Sequence, residues 1–312
     1  MDDANADARP PVLLSFDVED WHQLLRRRLG VEESGERNPA FERQMAAILA
    51  LLDELGTSAT FFLLGITAER HPDVVREIAA RGHELACHGY AHAPVNSQSR
   101  DEFRADVERC ATLIESITGR RPTGFRAPAF SIDSTTPWAY EVLAELGFDW
   151  DSSMHDSPRL PHRIRPVPET PCRLQLASGA ELLELPVAVW RTHGRTLPMG
   201  GGSAWRLTPA RVLARALHEV ANETAYPVLY FHPYEFDPRL LRPSLPRSAA
   251  PRQRLRALYR PLRTNPGRAR VAPRLRRIAR EFRFVSHEQA STDIERDFGS
   301  RTRALSGSST HV

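Results

Sequence analysis

The chain contains no lysine, so all 42 of its basic side chains are arginines. Arginine is a habit of the whole composition, and its abundance is no sign of anion recognition by itself. Cysteine is scarce: Cys87, Cys110 and Cys172 are the three present. An odd number without metal-ligand spacing excludes a cysteine metal site and fits a reducing cytoplasm. No run approaches the ~20 apolar residues that a membrane span requires. The opening MDDANADARPP is acidic and polar, without the apolar stretch of a secretory leader. The expectation is a cytoplasmic chain without a transmembrane segment, with the inner membrane face as the alternative location.

What is present is an ordinary globular composition, 41% apolar and 26% charged. A chain of 312 residues can bury one core of barrel size or two smaller ones. The formal charge of +3 is small but uneven, with arginines crowding the stretch from Arg242 to Arg280. Such a run can face nucleic acid, anionic lipid or an acidic sugar. A solvated helical face accounts for it more simply, and no nucleic-acid partner is expected.

Short apolar runs and helical periods alternate along the first half. Pro11 to Val18 reads as a buried strand that empties into acids, and Ala59 to Leu64 as a second. Leu85 to Cys87, Gly124 to Pro128 and Phe148 to Trp150 read as three more. Between them lie helical periods at Asn38 to Leu55, Pro72 to Ala80, Arg100 to Thr118 and Thr136 to Leu146. This alternation predicts an α/β fold on a parallel sheet, open or closed into a barrel. Its ligand site then lies at the carboxyl ends of the strands. The second half is less regular. Glu181 to Trp190 and Val228 to Phe231 read as strands, Thr208 to Asn222 as a helix, and Arg252 to Phe284 as a helical pattern closing on a last strand.

The polar clusters fall just after strands. His88-Gly-Tyr-Ala-His92 sets two imidazoles four residues apart, a spacing that turns both rings the same way, as a metal site requires. Asp17-Val18-Glu19-Asp20 crowds three carboxylates, whose repulsion a divalent cation would relieve while leaving one free as a base. The bland reading of that cluster is an acidic cap on the next helix. Arg126, in Arg126-Ala127-Pro128, needs an anionic partner if buried, and Asp151 at the next strand end is the expected one. That pair would orient Asp17. His232 ends an apolar strand; beside the other four strand ends, proton transfer is a better reading than a satisfied core histidine.

In this order the five pieces resemble the NodB-homology polysaccharide deacetylases, carbohydrate esterases that remove N-acetyl groups from chitin, peptidoglycan and exopolysaccharides. FDVEDW from Phe16, HGYAH from His88, FRAP from Phe125, DSS after Trp150 and YFHP from Tyr230 look like the family's five motifs. HRIRPVPE from His162, ELP from Glu184, GRTLPMGGG and YFHPYEFDP are similar to a branch that accompanies exopolysaccharide and PEP-CTERM (exosortase) gene clusters. The likeness spans residues 12–290, with a branch-specific C-terminal extension over about 157–290. Residues 1–11 and the tail 295–312, which contains SGSST, are expected to be disordered.

The resemblance implies a distorted parallel (β/α) barrel that hydrolyses the N-acetyl amide of sugars in a polysaccharide or its precursor. Asp17 would be the general base, supported by Arg126 and Asp151, and His232 the general acid. His88 and His92 would hold a divalent ion, zinc first and cobalt, nickel or iron as alternatives. Their carboxylate partner is Glu19 or Asp20, because Val18 stands where the common pattern has a second aspartate; relatives with an Asp-x-Asp form favour Glu19. The N–H of Ala129, after Pro128, would line the oxyanion hole, and Ala129 replaces the usual aromatic of that motif. The loop holding Gly201, with Trp205 nearby, would face an N-acetylated or lipid-linked glycan. A related hydrolase of small linear or cyclic amides is the alternative enzyme reading. A silent glycan-binding module would be favoured by a lost catalytic position, but Asp17, His88, His92 and His232 are all present.

Overall fold

The computed structural model describes residues 9–31 and 37–305. Its first half alternates strands and helices: β1 (Pro11–Val18), α1 (Trp21–Arg28), α2 (Pro39–Leu55), β2 (Thr60–Leu63), α3 (Gly65–Arg70), α4 (Pro72–Ala80), β3 (Glu84–Cys87), α5 (Arg100–Thr118), β4 (Gly124–Phe125), α6 (Trp138–Glu145) and β5 (Trp150–Asp151). The second half comprises β6 (Cys172–Gln175), β7 (Glu181–Glu184), β8 (Val189–Thr192), β9 (Arg195–Pro198), α7 (Gly202–Leu207), α8 (Ala210–Thr224), β10 (Val228–Phe231), α9 (Pro251–Thr264), α10 (Val271–Ile278), β11 (Arg283–Val285), α11 (His287–Phe298) and β12 (Thr302–Ala304).

The sheet runs β10-β1-β2-β3-β4-β5-β7-β6-β12, and β11 pairs with the start of β1 on the edge opposite β10, since Leu13 is paired with both Val228 and Val285. All its pairings are parallel except β6 with β7. No continuous ladder joins β7 to β10; isolated bridges such as Val187–Val228 and Gly201–Tyr230 span that gap. The architecture is a distorted (β/α) barrel: the alternation of strand and helix predicts its parallel sheet, and the family resemblance its barrel form.

Local chemistry explains the elements. β1 is apolar except for Ser15 and Asp17 and is buried from Val12 to Val18, as a strand covered on both faces must be. α2 begins with Asn38 capping the Ala40 N–H and Pro39 in the first turn, and stops at Gly56 with φ 58°. α5 is closed by a Ser99–Glu102 capping box at one end and by Gly119, φ 76°, at the other. Between sheet and helices, Phe16 stacks on Phe61 at 5.0 Å and lies 6.3 Å from Phe231. Burying each such ring stabilises by about 1.5–3 kcal/mol.

Three boundaries differ from those expected. The stretch from Glu181 to Trp190 is two strands in two sheets, because Pro186 has no N–H to continue a ladder. The tail from 295 is ordered as far as Leu305: α11 runs to Phe298, and β12 pairs with β6. β1 starts at Pro11, as the expected strand does, so the segment expected to be disordered, 1–11, overruns the fold at Pro11. The rest of both terminal segments, 1–8 and 306–312, lies outside the described residues. Among the described residues no helix is long and apolar enough to cross a membrane.

Candidate active site

Strand register alone brings the chemistry to one level. Phe16 pairs with Phe231, which puts Asp17 beside His232. Leu63 pairs with Cys87, Cys87 with Phe125 and Phe125 with Asp151, so that His88, Arg126 and Ser152 each follow at the carboxyl end.

Glu19, His88 and His92 form the centre. Their ligand atoms lie within 4.8 Å of one another, and all three side chains are buried. Glu19 Oε1 is 2.7 Å from His92 Nε2 and 3.2 Å from His88 Nε2. His88 Nδ1 lies 2.7 Å from the Arg126 carbonyl, which only accepts, so Nδ1 carries a proton and donates it. A neutral His88 therefore aims a bare Nε2 lone pair at a carboxylate oxygen. Two acceptors at that distance need a cation between them, a proton or a metal ion. Two imidazoles and one carboxylate, with one ring oriented by a backbone carbonyl, suit a first-row divalent ion. His92 is held at φ 55°, in the left-handed region that β-carbon-bearing residues avoid, a strain that active sites often store.

Asp20 is elsewhere. It caps α1, accepting from the His22 N–H at 2.9 Å and from Asn38 Nδ2 at 2.9 and 3.0 Å. Burial opposes its charge, but these bonds outweigh burial and lower its pKa. Of the two carboxylates open in the sequence, geometry brings Glu19 to the histidines, and Asp20 takes the capping role.

Asp17, at the end of β1, is paired with a fully buried Arg126. Arg126 Nη1 donates to Asp17 Oδ1 and to Ser15 Oγ, both at 2.8 Å. Nε and Nη2 go to the carbonyl and hydroxyl of Ser152, at 3.1 and 2.9 Å. The guanidinium also lies 3.9 Å from the Phe62 ring centre, which keeps water out. Four directed contacts hold the arginine, and through it Asp17 Oδ1, while Asp17 Oδ2 has no hydrogen bond to protein among the described residues.

Arg126 does not pair with Asp151, contrary to expectation. Asp151 accepts from Ser153 Oγ at 2.7 Å and from its N–H at 3.0 Å, and Ser153 Oγ accepts from the Ala127 N–H at 2.8 Å. It therefore braces the Arg126-Ala127-Pro128 turn through one serine. Its register partner is Glu184, which is also fully buried. Burial pushes the Asp151 carboxyl up to about 6, and burial with the Asp151 charge raises Glu184 well above the carboxylate range.

His232 is a fifth exposed, with Nε2 3.6 Å from Glu19 and Nδ1 3.6 Å from Glu235. Burial works against a charged ring, but Glu19, Glu235 and Asp17 together raise its pKa to about 9. Glu235 is itself buried, accepts from the His232 N–H at 3.1 Å and is paired with Arg206. A β-carbon on Gly202 would overlap the Glu235 carboxylate, and one on Gly201 would meet the Tyr230 ring. The glycine loop is thus packing that lets Glu235 and Tyr230 approach, rather than a sugar platform. Trp205 is likewise no platform: it is completely buried, donates to the Met199 carbonyl at 3.0 Å and packs on Phe231.

Past Pro128, Ala129 and Phe130 both take positive φ, 55° and 54°. That double reversal swings Phe130 back until its ring is 5.0 Å from Tyr230 and 5.1 Å from His155. Sequence reasoning gave no role to Ser15, nor to Ser152, Glu184 and Glu235, which it quoted within the DSS, ELP and YFHPYEFDP motifs. Glu235, three residues after His232, also left a spacing signal, the i,i+3 separation of a helical-turn pair.

Glu19, Trp21, His232, Tyr234, Arg260 and Thr264 line a cleft of about 160 Å³. A larger cavity, about 1080 Å³, opens at the opposite end of the barrel by Glu84, Thr123, Asp149 and His287, away from this chemistry.

Residues 7–149 match the polysaccharide deacetylase family, and residues 152–292 match a domain of unknown function, DUF3473. The peptidoglycan deacetylase-like protein FGM2 of Gibberella zeae is 36% identical over 114 residues, covering 35% of this chain and 33% of its own. A peptidoglycan-N-acetylglucosamine deacetylase of Bacillus cereus is 34% identical over 95 residues, 30% of this chain and 34% of its own. Chitin deacetylase 1 of Saccharomyces cerevisiae is 31% identical over 122 residues, 37% of this chain and 40% of its own. The match thus spans between a third and two fifths of these curated relatives. Among solved structures, a Mycobacterium smegmatis chain described as a polysaccharide deacetylase superposes with a TM-score of 0.61 at 23% identity, over 95% of this chain and 94% of its own. An allantoinase superposes with a TM-score of 0.58 at 17% identity, over 92% and 89%. At these identities the two structures speak for the fold alone. The sequence matches go further, to the polysaccharide deacetylase family over residues 7–149 and to DUF3473 over residues 152–292.

Proposed function

We propose that this chain hydrolyses the N-acetyl amide of N-acetylated sugars in an exopolysaccharide or its precursor, releasing acetate, with a divalent cation, zinc foremost, at Glu19, His88 and His92. One observation carries the reading: a buried two-histidine, one-carboxylate cluster stands at the same strand ends as an arginine-held aspartate and a histidine set between Glu19 and Glu235. The names of the curated relatives, peptidoglycan and chitin deacetylases, support the substrate class.

A divalent ion there would supply Lewis-acid polarisation of the acetyl carbonyl. Asp17, one oxygen fixed by Arg126 and the other free, accepts a proton from the attacking water as its oxygen bonds to the carbonyl carbon. His232 delivers a proton to the amide nitrogen as the C–N bond breaks, because an amide anion is too basic to leave unaided. The products are acetate and a free amino sugar. Asp151 acts through Ser153 to hold the Arg126 turn.

The test is acetate release, followed by mass spectrometry, from a panel of N-acetylated glycans and small linear and cyclic amides, before and after chelation. Activity on glycans that vanishes with a chelator and returns with zinc is expected. Full activity in protein shown by elemental analysis to be metal-free would sink the mechanism, and turnover of the small amides alone would replace the substrate class. His232→Ala separates the acid from a structural histidine: it should lose far more rate on an N-acetyl sugar than on an aryl acetate, whose phenolate leaves unprotonated.

A further inference from the structure

Helix α9 is amphipathic and faces the wrong way for a globular protein. Leu255, Leu258, Tyr259 and Leu262 recur at i, i+3, i+4 and i+7, the spacing of a stripe that normally turns to the core. Here the four are 62%, 62%, 68% and 70% exposed, and Ala257 alone is buried on the helix. Ala257 packs with Trp21, Leu25 and Leu241, so α9 is anchored on its opposite side and presents the stripe outward.

Arginines flank that stripe. Among the described residues, none of Arg252, Arg254, Arg256, Arg260 and Arg263 has an ion pair with an acidic side chain. The imbalance extends along the chain, since residues 238–280 hold 14 arginines and no Asp or Glu. An exposed apolar stripe beside unneutralised cations needs a partner that is both oily and anionic. A nucleic acid supplies phosphates but no apolar phase for three leucines. A bilayer with anionic lipids supplies both, taking the leucines below the headgroups, the arginines at the phosphates and Tyr259 at the boundary. The far end of the helix also matters, because Arg260 and Thr264 line the cleft that holds Glu19 and His232.

We propose that α9 docks this chain on an anionic lipid surface, setting the mouth of the active-site cleft at headgroup level to receive a glycan carried on a lipid. The docking stands independently of the deacetylase reading; the lipid-carried substrate rests on it.

The experiment is flotation of the full chain with phosphatidylcholine vesicles, with and without phosphatidylglycerol, at rising salt. Binding to the anionic vesicles, weak or absent on neutral ones and falling with salt, is the expected result. Leu258→Glu and Leu262→Glu should each weaken it by about tenfold or more. Arg252→Gln and Arg256→Gln should each cost about fivefold. All four side chains lie outside the cleft, so melting temperature and turnover of a short water-soluble N-acetylated oligosaccharide should be unchanged. Equal binding to both vesicle types, or undiminished binding by Leu258→Glu/Leu262→Glu, overturns the proposal. So does a second copy as occupant, seen in sedimentation velocity as a dimer that Leu258→Glu dissociates, without vesicle binding. Vesicle binding by a chain that hydrolyses no glycan would uphold the docking and defeat the proposed function.

Discussion

Replacing Arg126 by methionine keeps the volume of the side chain and removes its charge. The guanidinium is fully buried and makes hydrogen bonds to Asp17, Ser15 and, twice, Ser152. Its loss leaves the Asp17 carboxylate, itself only 3% exposed, without a counter-charge. Breaking a buried pair from one side costs about 3–5 kcal/mol, a large part of the stability of an ordinary domain. Urea denaturation at neutral pH should therefore show Arg126→Met destabilised by that amount. The deficit should shrink on acidification, because protonating the orphaned carboxylate removes the charge that burial penalises. Arg126→Met/Asp17→Asn should recover most of the stability, since no lone charge remains, yet stay inactive. Turnover in the single variant should fall by about 10²–10⁴, the usual worth of a general base. If Arg126→Met unfolds at the wild-type urea concentration, or if the double variant is as unstable as the single one, the pair is not what holds Asp17 and the reasoning fails.

Asp151 gives a second, pH-dependent expectation. Its carboxyl is pushed up to about 6, so the stability tied to its proton is full at low pH and lost as pH rises through that value. Asp151→Asn has no proton to lose, so its stability relative to wild type should climb by up to about 3 kcal/mol between about pH 4 and 7; a flat difference in denaturation across that range would refute the raised carboxyl. For the acids after β1, Glu19→Gln should strip zinc in a calorimetric titration, whereas Asp20→Ala should keep zinc and cost about 1 kcal/mol as a lost helix cap. Loss of zinc from Asp20→Ala would reverse the assignment. Trp205→Ala should cost about 3–5 kcal/mol as a core cavity and leave KM for a glycan near wild type in whatever protein remains folded; a raised KM at unchanged stability would return Trp205 to the substrate.

Much of this protein was legible in its sequence, because the signals concerned are local. Pro39, Asn38 and Gly56 bound α2, Ser99 and Gly119 bound α5, and apolar runs mark β1, β2 and β10 wherever they pack. A polar residue directly after such a run must sit at a strand's carboxyl end, so Asp17, His88, Arg126 and His232 could be gathered before any coordinates. Which of them touch is a different question. Glu19 meets His92 across 73 residues of chain, and Arg126 meets Asp17 across 109. Those contacts depend on strand order, register and the path of each loop, none of which a window of sequence encodes. Tertiary structure brought Glu19, which the Asp-x-Asp likeness had favoured, to the histidines; it alone gave Arg126 to Asp17, left Asp151 with Glu184 and swung Phe130 onto Tyr230. It also buried Trp205 and turned the stripe of α9 outward, since amphipathic spacing defines a face but only packing decides whether that face looks to the core or away from it.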